Sequence, residues 1–232
     1  AENVAVEFGI SREDQDAFAL GSHPKALAAI AAGALADAIA PFPLADHYPD
    51  LAAHTIRTDA RVLSIDEGPR KDTSLEGLAR LRPVFRNGGS VTAGNSSQMS
   101  DGAGALLLAS EHAIKAYGLT PIARFVGFAV AGVPPEIMGI GPIAAIPKAL
   151  EQSGISRDQL DWIELNEAFA AQSLAVIRDI GLDPSKVNPL GGAIALGHPL
   201  GATGAVRAAT LIHGLRRRKQ KYGMVTMCIG TG

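Results

Sequence analysis

The 232-residue sequence predicts an α/β fold, in which helices cover a sheet. The first observation is that strand-like and helix-like segments alternate from residue 122 to residue 228. The second is the composition, because 47% apolar and 19% charged residues are ordinary for a globular protein. The length is sufficient for one large domain or two modest ones.

The composition also argues against several classes of function. A net charge of −2 provides no electrostatic basis for binding nucleic acid or an anionic membrane surface. We also find no apolar run of transmembrane length and no signal peptide. From the charge and the lack of apolar runs, neither nucleic acid nor a membrane is expected as a partner. The single cysteine cannot form an internal disulfide, which is compatible with a reducing compartment.

Residues 1–97 begin with helical patterns and continue into an irregular stretch. Gly9 closes a first helix, and Ser11 caps a second one. Pro24 is expected to bend or interrupt the second helix, with helical character resuming over residues 25–39. Residues 41–74 lack a sustained period and are interpreted as loop with a short strand at residues 61–65, followed by a short helix at residues 74–81.

The remaining residues carry the alternation. A buried strand is predicted at residues 102–110, followed by a helix that stops at Gly118. The basic helix end at residues 216–221 is expected to be solvated rather than a binding surface. Further strands are predicted at residues 122–130, 160–165 and 222–228, and further helices at residues 142–153, 167–180 and 203–218.

Residues 188–204 are expected to carry the functional site. Five glycines in this stretch surround His198, and Pro199 biases the histidine away from helical backbone. The strand at residues 222–228 delivers Cys228 into a second glycine-rich setting that includes Gly230. Taken singly, the histidine is typical of a buried hydrogen-bonded side chain and the cysteine of an inert core thiol. Together with Asn166 they indicate a Cys/His acyl-transfer site.

Two other site types do not fit these residues. The glycine spacing of residues 197–204 matches neither the dinucleotide fingerprint nor the P-loop, which also requires a lysine. The six histidines and one cysteine show no paired spacing of zinc ligands, so no metal is expected. The other histidines are interpreted as loop or helix-surface residues: His23, His47, His54, His112 and His213.

Four motifs, in order along the chain, resemble those of the thiolase family. They are TAGNSSQMSDG at residues 92–102, NEAF at 166–169, GGAIALGHPLGATG at 191–204 and MCIGTG at 227–232. The resemblance covers the whole chain and implies a thiolase-like layered α-β-α fold, here the C-terminal half plus part of the helical loop domain. It divides the chain into a loop-domain portion over the active site (residues 1–97), the last strand and helix of the N-terminal domain (98–118) and an incomplete C-terminal domain (119–232).

The resemblance also implies an activity. Thiolases cleave 3-ketoacyl-CoA with a second CoA to acetyl-CoA and a shortened acyl-CoA, or run the condensation in reverse. Acyl-CoA and CoA are then the substrates, and no cofactor is implied. Residues 133–142 favour the degradative branch; a biosynthetic acetoacetyl-CoA thiolase and a non-catalytic acyl-CoA-binding protein remain alternatives. A homodimer or homotetramer is implied, in bacterial cytoplasm or in a peroxisomal or mitochondrial matrix.

The resemblance assigns roles to individual residues. His198 would activate the family's nucleophilic cysteine, which lies in an N-terminal half that this chain does not contain. Asn166 would hold a water that completes an oxyanion hole with His198. Cys228 would be a second acid/base, and the Gly230 N–H would contribute to a second oxyanion hole. The residues expected to contact CoA are Arg70, Ala93, Ser97, Ala168 and Phe169.

Overall fold

The structure, a computed structural model, describes residues 1–230. A two-stranded parallel sheet lies at its centre, formed by β3 (Trp162–Leu165) and β4 (Gly223–Thr226). Every residue of β3 is buried, as expected for a parallel strand covered on both faces. Leu165 pairs with Thr226, so the carboxyl ends of the two strands lie side by side.

Helices α5 (Gly141–Ser153) and α6 (Ala170–Ile180) pack on one face of this sheet. Side chains alternate along a strand, so Ile163 and Leu165 point to the same face. Both belong to one core cluster with residues of the two helices, namely Ile146, Val176 and Ile177.

The opposite face of the sheet is covered by α8 (Thr203–Arg218) and the end of α2 (Arg12–Ala31). Trp162 is fully buried there and packs with Leu211. Gly214 permits this packing, because a Cβ at that position would lie 2.4 Å from the indole ring. Helices therefore cover both faces of the sheet, which confirms the predicted layered α-β-α arrangement.

Several element ends follow from local chemistry. The Ser11 hydroxyl accepts a hydrogen bond from the Asp14 N–H at 3.0 Å, which caps α2. Helix α4 (Glu111–Tyr117) stops at Gly118, whose φ of 60° is the left-handed conformation of a helix C-cap. The other short helices are α1 (Glu2–Glu7), α3 (Leu75–Ala79) and α7 (Ala193–Leu196).

Pro24 was predicted to bend or interrupt the helix; the interruption was wrong, because α2 runs continuously through Pro24, and the bend stays a prediction. Tertiary hydrogen bonds hold the turn beside the proline. The Ser22 hydroxyl donates to Glu167 at 2.8 Å, and His23 Nδ1 accepts from the Arg70 N–H at 3.1 Å. These contacts compensate for the one helical hydrogen bond that a proline removes.

The interpretation of residues 41–74 as mostly loop was also wrong. A long antiparallel hairpin is formed by β1 (Phe42–Asp50) and β2 (Thr55–Leu63), with Phe42 opposite Leu63. None of its residues is buried, and most are exposed. The apolar alternation by which strands are recognised in a sequence is therefore missing.

The predicted strands at residues 102–110 and 122–130 are not formed. Both segments lie on the surface without regular secondary structure, with Leu107 87% and Phe125 72% exposed. A buried strand requires a neighbour for its backbone hydrogen bonds, and nothing within residues 1–230 pairs with either segment. The division of the chain at residues 97 and 118 stays a prediction.

A buried ion pair joins β3 to α8. Glu164 is fully buried, accepts a hydrogen bond from Trp162 Nε1 at 2.7 Å and lies 3.4 Å from Arg207 Nη1. Burial raises the pKa of Glu164, and the Arg207 guanidinium opposes that shift. Arg207 also donates to the carbonyl oxygen of Gly191 at 3.4 Å, so it ties the glycine loop to the sheet.

We expect Arg207→Met to lower the free energy of unfolding by about 3–5 kcal/mol, because it leaves the Glu164 carboxyl buried without its partner. Adding Glu164→Gln should recover part of that loss. Urea denaturation of the 232-residue chain measures both.

Arg178→Met is the matched control, since Arg178 forms an exposed pair with Asp14 at 2.8 Å. It should cost less than about 1 kcal/mol. Equal losses at the two arginines would contradict a structural role for the buried pair.

Candidate active site

Asn166 and His198 meet at the carboxyl edge of the central sheet. Asn166 follows β3 directly, and its N–H continues the strand pairing by donating to the Thr226 carbonyl at 3.0 Å. Its side-chain Nδ2 lies 3.2 Å from His198 Nε2. Cys228 follows β4 at the same edge, which is where ligands bind in α/β sheets.

The hydrogen-bond partners of His198 assign its proton to one of the two ring nitrogens. Nδ1 lies 2.7 Å from the Thr203 hydroxyl, and that hydroxyl donates its own hydrogen to the Pro199 carbonyl at 3.0 Å. The hydroxyl therefore accepts from Nδ1–H, which leaves the lone pair on Nε2 to accept from Asn166. Burial, and then the nearby Arg207, lower the pKa of His198. The imidazole is thus a neutral base with Nε2 as its basic atom.

The side-chain oxygen of Asn166 has a different environment. Its Oδ1 is buried and has no hydrogen-bond partner within residues 1–230. A buried acceptor without a donor is costly, so this atom is suited to bind a water molecule or a ligand donor. The predicted role of Asn166 in holding an oxyanion-hole water stays a prediction, and this unpaired oxygen is compatible with it.

The carboxyl group of Glu167 anchors the loop that carries His198. Glu167 is 3% exposed, and Gly192 packs against it so closely that a Cβ there would lie 2.0 Å from the carboxyl carbon. Sequence reasoning missed this role. The available signal was an acidic residue directly after Asn166 at the end of a buried strand. The Glu167 carboxyl accepts hydrogen bonds from the Ser22 hydroxyl at 2.8 Å, Asn188 Nδ2 at 2.8 Å and the Ile194 N–H at 3.2 Å.

Cys228 is buried beside the carboxyl end of β4. It is 9% exposed, and burial raises the pKa of its thiol. At neutral pH it is therefore a protonated thiol, which can donate a proton before it can accept one. Gly141 lies close by, since a Cβ there would be 3.9 Å from the Cys228 Cα, and a Cβ at Gly230 would be 3.0 Å from Met138 Cε. The roles of Cys228 and Gly230 stay predictions.

Three of the predicted CoA-contacting residues are brought together. The Ser97 N–H donates to the Ala168 carbonyl at 2.9 Å, and Ser96 forms an antiparallel bridge with Phe169. Ala93 lies earlier in the same segment, in a 3₁₀ helix (Ala93–Asn95), and is exposed. The structure thus brings Ser97 against the segment of Ala168 and Phe169, which follows Asn166 in the chain, while the contact of these residues with CoA stays a prediction.

Arg70, the remaining predicted contact, is held by its backbone. Its side chain is exposed, and its N–H donates to Nδ1 of His23.

The interpretation of His23 as a surface residue was wrong, because it is 4% exposed on the packed face of α2. Burial, with a contribution from Arg70, lowers the pKa of His23. The unfolded chain therefore binds this proton more tightly, and the free energy of unfolding decreases as the pH falls below about 6.5.

Two negative findings apply to residues 1–230. No cluster of His, Cys, Asp and Glu side chains in this range could hold a metal ion. No helix in this range combines the length and apolar character needed to span a bilayer. The expected absence of a metal, a cofactor and a nucleic-acid partner stays a prediction.

We expect Thr203→Val to change the tautomer of His198, because it removes the acceptor of Nδ1–H. A lost hydrogen bond of this kind should shift the tautomer ratio toward Nε2–H by roughly threefold to tenfold. The ¹⁵N chemical shifts of the imidazole measure this ratio. Thr203→Ser keeps the hydroxyl and should retain the original tautomer; an unchanged ratio in Thr203→Val would contradict the assignment.

Comparison with known proteins shows what the chain is similar to. The family profile described as "Thiolase, N-terminal domain" matches residues 1–112, and "Thiolase, C-terminal domain" matches residues 119–232. The 3-ketoacyl-CoA thiolase of Bacillus subtilis is 50% identical over 100% of this chain and 59% of its own length. The peroxisomal 3-ketoacyl-CoA thiolase B of Rattus norvegicus is 51% identical over 100% of this chain and 54% of its own length.

Solved structures agree with these matches. The crystal structure of the Bacillus anthracis acetyl-CoA acetyltransferase superposes with a TM-score of 0.93 at 47% identity, covering 100% of this chain and 56% of that one. The human mitochondrial 3-ketoacyl-CoA thiolase in complex with CoA has a TM-score of 0.86 at 44% identity, covering 100% of this chain and 55% of that one. This chain therefore spans about half the length of the relatives it matches. With its fold, its motifs and both profiles in agreement, the chain belongs to the thiolase family.

Proposed function

We propose that this chain supplies the acid/base part of a thiolase active site, which cleaves 3-ketoacyl-CoA with CoA to acetyl-CoA and a shortened acyl-CoA. The observation that carries the proposal is the 3.2 Å contact between Asn166 Nδ2 and His198 Nε2, which presents a neutral base at the edge of the sheet. The names of relatives at about 50% identity support the reaction class.

The geometry suits His198 for two successive tasks. Nε2 carries the lone pair, so once its hydrogen bond from Asn166 Nδ2 is released it can take the proton of a cysteine thiol and generate the thiolate nucleophile. Once protonated, Nε2–H becomes a hydrogen-bond donor, which can stabilise the developing oxyanion of a thioester. Thr203 holds Nδ1–H throughout, so the ring does not need to turn between the two tasks.

Cys228 is proposed to move the second proton. The nucleophilic thiolate attacks the C3 carbonyl of the substrate, and cleavage of the C2–C3 bond leaves a carbanion on acetyl-CoA. The Cys228 thiol donates its proton to that carbon, and the resulting thiolate then takes the proton of the incoming CoA thiol. The raised pKa of Cys228 supports the first step, because it keeps the thiol protonated. The Gly230 N–H would stabilise the oxyanion formed during the second transfer.

The nucleophile itself must come from outside these residues. The mechanism uses two thiols, and Cys228 is the only cysteine among the 232 residues. The Bacillus subtilis relative extends well beyond the matched region, since this chain covers 59% of it. We therefore infer that the complete site combines Asn166, His198 and Cys228 with a cysteine from that further part of the fold.

CoA is the proposed ligand. The human mitochondrial thiolase solved with CoA supports this assignment through a TM-score of 0.86. The proposed contacts are the exposed Arg70 at the nucleotide end and the segment around Ser97 and Ala168 along the pantetheine arm. No further cofactor is needed by this chemistry. A homodimer or homotetramer is proposed, in a bacterial cytoplasm or an organelle matrix such as that of the peroxisomal relatives.

The direction of the reaction has two candidates. A relative from Pseudomonas aeruginosa with 51% identity is named acetyl-CoA acetyltransferase, which supports biosynthetic condensation as the second candidate. The residues that move protons are the same in both directions. Relative rates with acetoacetyl-CoA and with longer 3-ketoacyl-CoA substrates separate the two.

The test joins this chain to the part of the Bacillus subtilis relative that lies outside the matched region. The joined protein should consume a 3-ketoacyl-CoA thioester only when CoA is present, and the 232-residue chain alone should be inactive. In the joined protein, His198→Ala should lower kcat by at least about 10²–10³, because one residue provides both the base and an oxyanion donor.

His112→Ala is the control, since His112 is exposed on α4 and takes no part in the site. Its activity should equal that of the unsubstituted protein. A loss of less than tenfold for His198→Ala, or activity of the isolated chain, would refute this division of labour.

A further inference from the structure

The side-chain amide of Gln98 bridges two segments that are far apart in the sequence. Its Nε2 donates to the carbonyl oxygens of Gly68 at 3.0 Å, Ile194 at 3.1 Å and Ala195 at 3.2 Å. A primary amide has two hydrogens, so one of them is shared between two oxygens. The opposite orientation would place the amide oxygen against three carbonyl oxygens. Only the donor orientation therefore fits.

The carbonyl groups at this position need such a donor. Helix α7 has four residues, and the carbonyls of its last turn have no N–H partner within the helix. Gly68 lies directly against this helix end, because a Cβ at Gly68 would be 2.4 Å from the Ala195 oxygen. Gln98 thus donates the hydrogen bonds where the backbone of Gly68 packs against the end of α7.

The main chain of the same residue holds the base. The Gln98 carbonyl accepts a hydrogen bond from the His198 N–H at 3.3 Å. Gly197, just before the histidine, adopts a φ of 90°, which favours glycine and turns the loop toward this acceptor. One residue therefore contacts both the backbone of His198 and Gly68, which precedes Arg70 by two positions.

We propose that Gln98 is a positioning residue that couples the segment carrying Arg70 to the loop carrying His198. A displacement of Gly68 would change the hydrogen bonds that the Gln98 amide donates to the end of α7. Because only Gly197 lies between α7 and His198, the histidine would move with it. This inference rests on the proposed function in taking Arg70 as a CoA contact and His198 as the base. Under it, Gln98 aligns the nucleotide end of the ligand with its reacting end.

The test substitutes Gln98→Glu in the 232-residue chain. A carboxylate has no hydrogen to donate and would face three carbonyl oxygens, so both segments should separate from it. We expect hydrogen exchange of the His198 and Arg70 amides, followed by NMR, to accelerate together by about tenfold or more. The pH titration of the His198 imidazole should shift as well.

Gln159→Glu is the matched control. The Gln159 side chain is exposed, and its Oε1 only accepts hydrogen bonds from Ser156, a role that a carboxylate keeps. This variant should leave the exchange rates at His198 and Arg70 unchanged. The Ile163 amide of β3, which donates to the Lys186 carbonyl at 2.9 Å, should be unaffected in both variants.

Acceleration at His198 alone, or at neither amide, would overturn the coupling. Uniform acceleration that includes Ile163 would also overturn it, because it would mark Gln98 as a general stabiliser of the fold. If Gln98→Glu does not fold, Gln98→Met removes the donors without adding a charge and is judged by the same three amides. The exchange result does not depend on turnover, so the two failures are distinguishable: an inactive joined protein would refute the roles given to Arg70 and His198, whereas the exchange rates alone judge the coupling between their segments.

Discussion

The hydrogen bonds to the buried carboxyl group of Glu167 are the interaction on which the candidate site depends. Burying a polar group without partners is costly, so the donors around Glu167 are required for the fold to close at this point. They come from two directions: Ser22 on α2, and the glycine loop through the Ile194 N–H. Glu167 follows Asn166 directly in the chain. The hydrogen bonds that hold the glycine loop to the Glu167 carboxyl therefore also hold His198 close to Asn166.

Burial acts in opposite directions on the two groups proposed to move protons. It disfavours the charged form of each, which lowers the pKa of His198 and raises the pKa of Cys228. At neutral pH both are therefore uncharged, one as a base ready to accept a proton and the other as an acid ready to donate one. Burial at the sheet edge thus prepares two complementary functions, and the nearby Arg207 reinforces the shift at His198.

The features that could be predicted from the sequence are those that short stretches of residues determine by themselves. The bounds of α4 and α8 follow from Gly118 and from the apolar period, and the motifs alone indicate Asn166, His198 and Cys228. What was missed depends on contacts between distant residues. Pro24 stays helical because Glu167, which is 145 positions from Ser22, and Arg70 hold the adjacent turn. Gln98 resembles an ordinary polar turn residue until its three carbonyl partners are seen.

The most direct test of the acid/base assignment follows the exchange of the C2 hydrogens of acetyl-CoA with deuterium, catalysed by the joined protein. Cys228→Ser should abolish this exchange while slow acyl transfer to the nucleophilic cysteine continues, because a serine hydroxyl is far too weak an acid or base near neutral pH to replace a thiol of pKa about 8.5. Exchange at the unsubstituted rate in Cys228→Ser would contradict the claim that this chain supplies the proton donor.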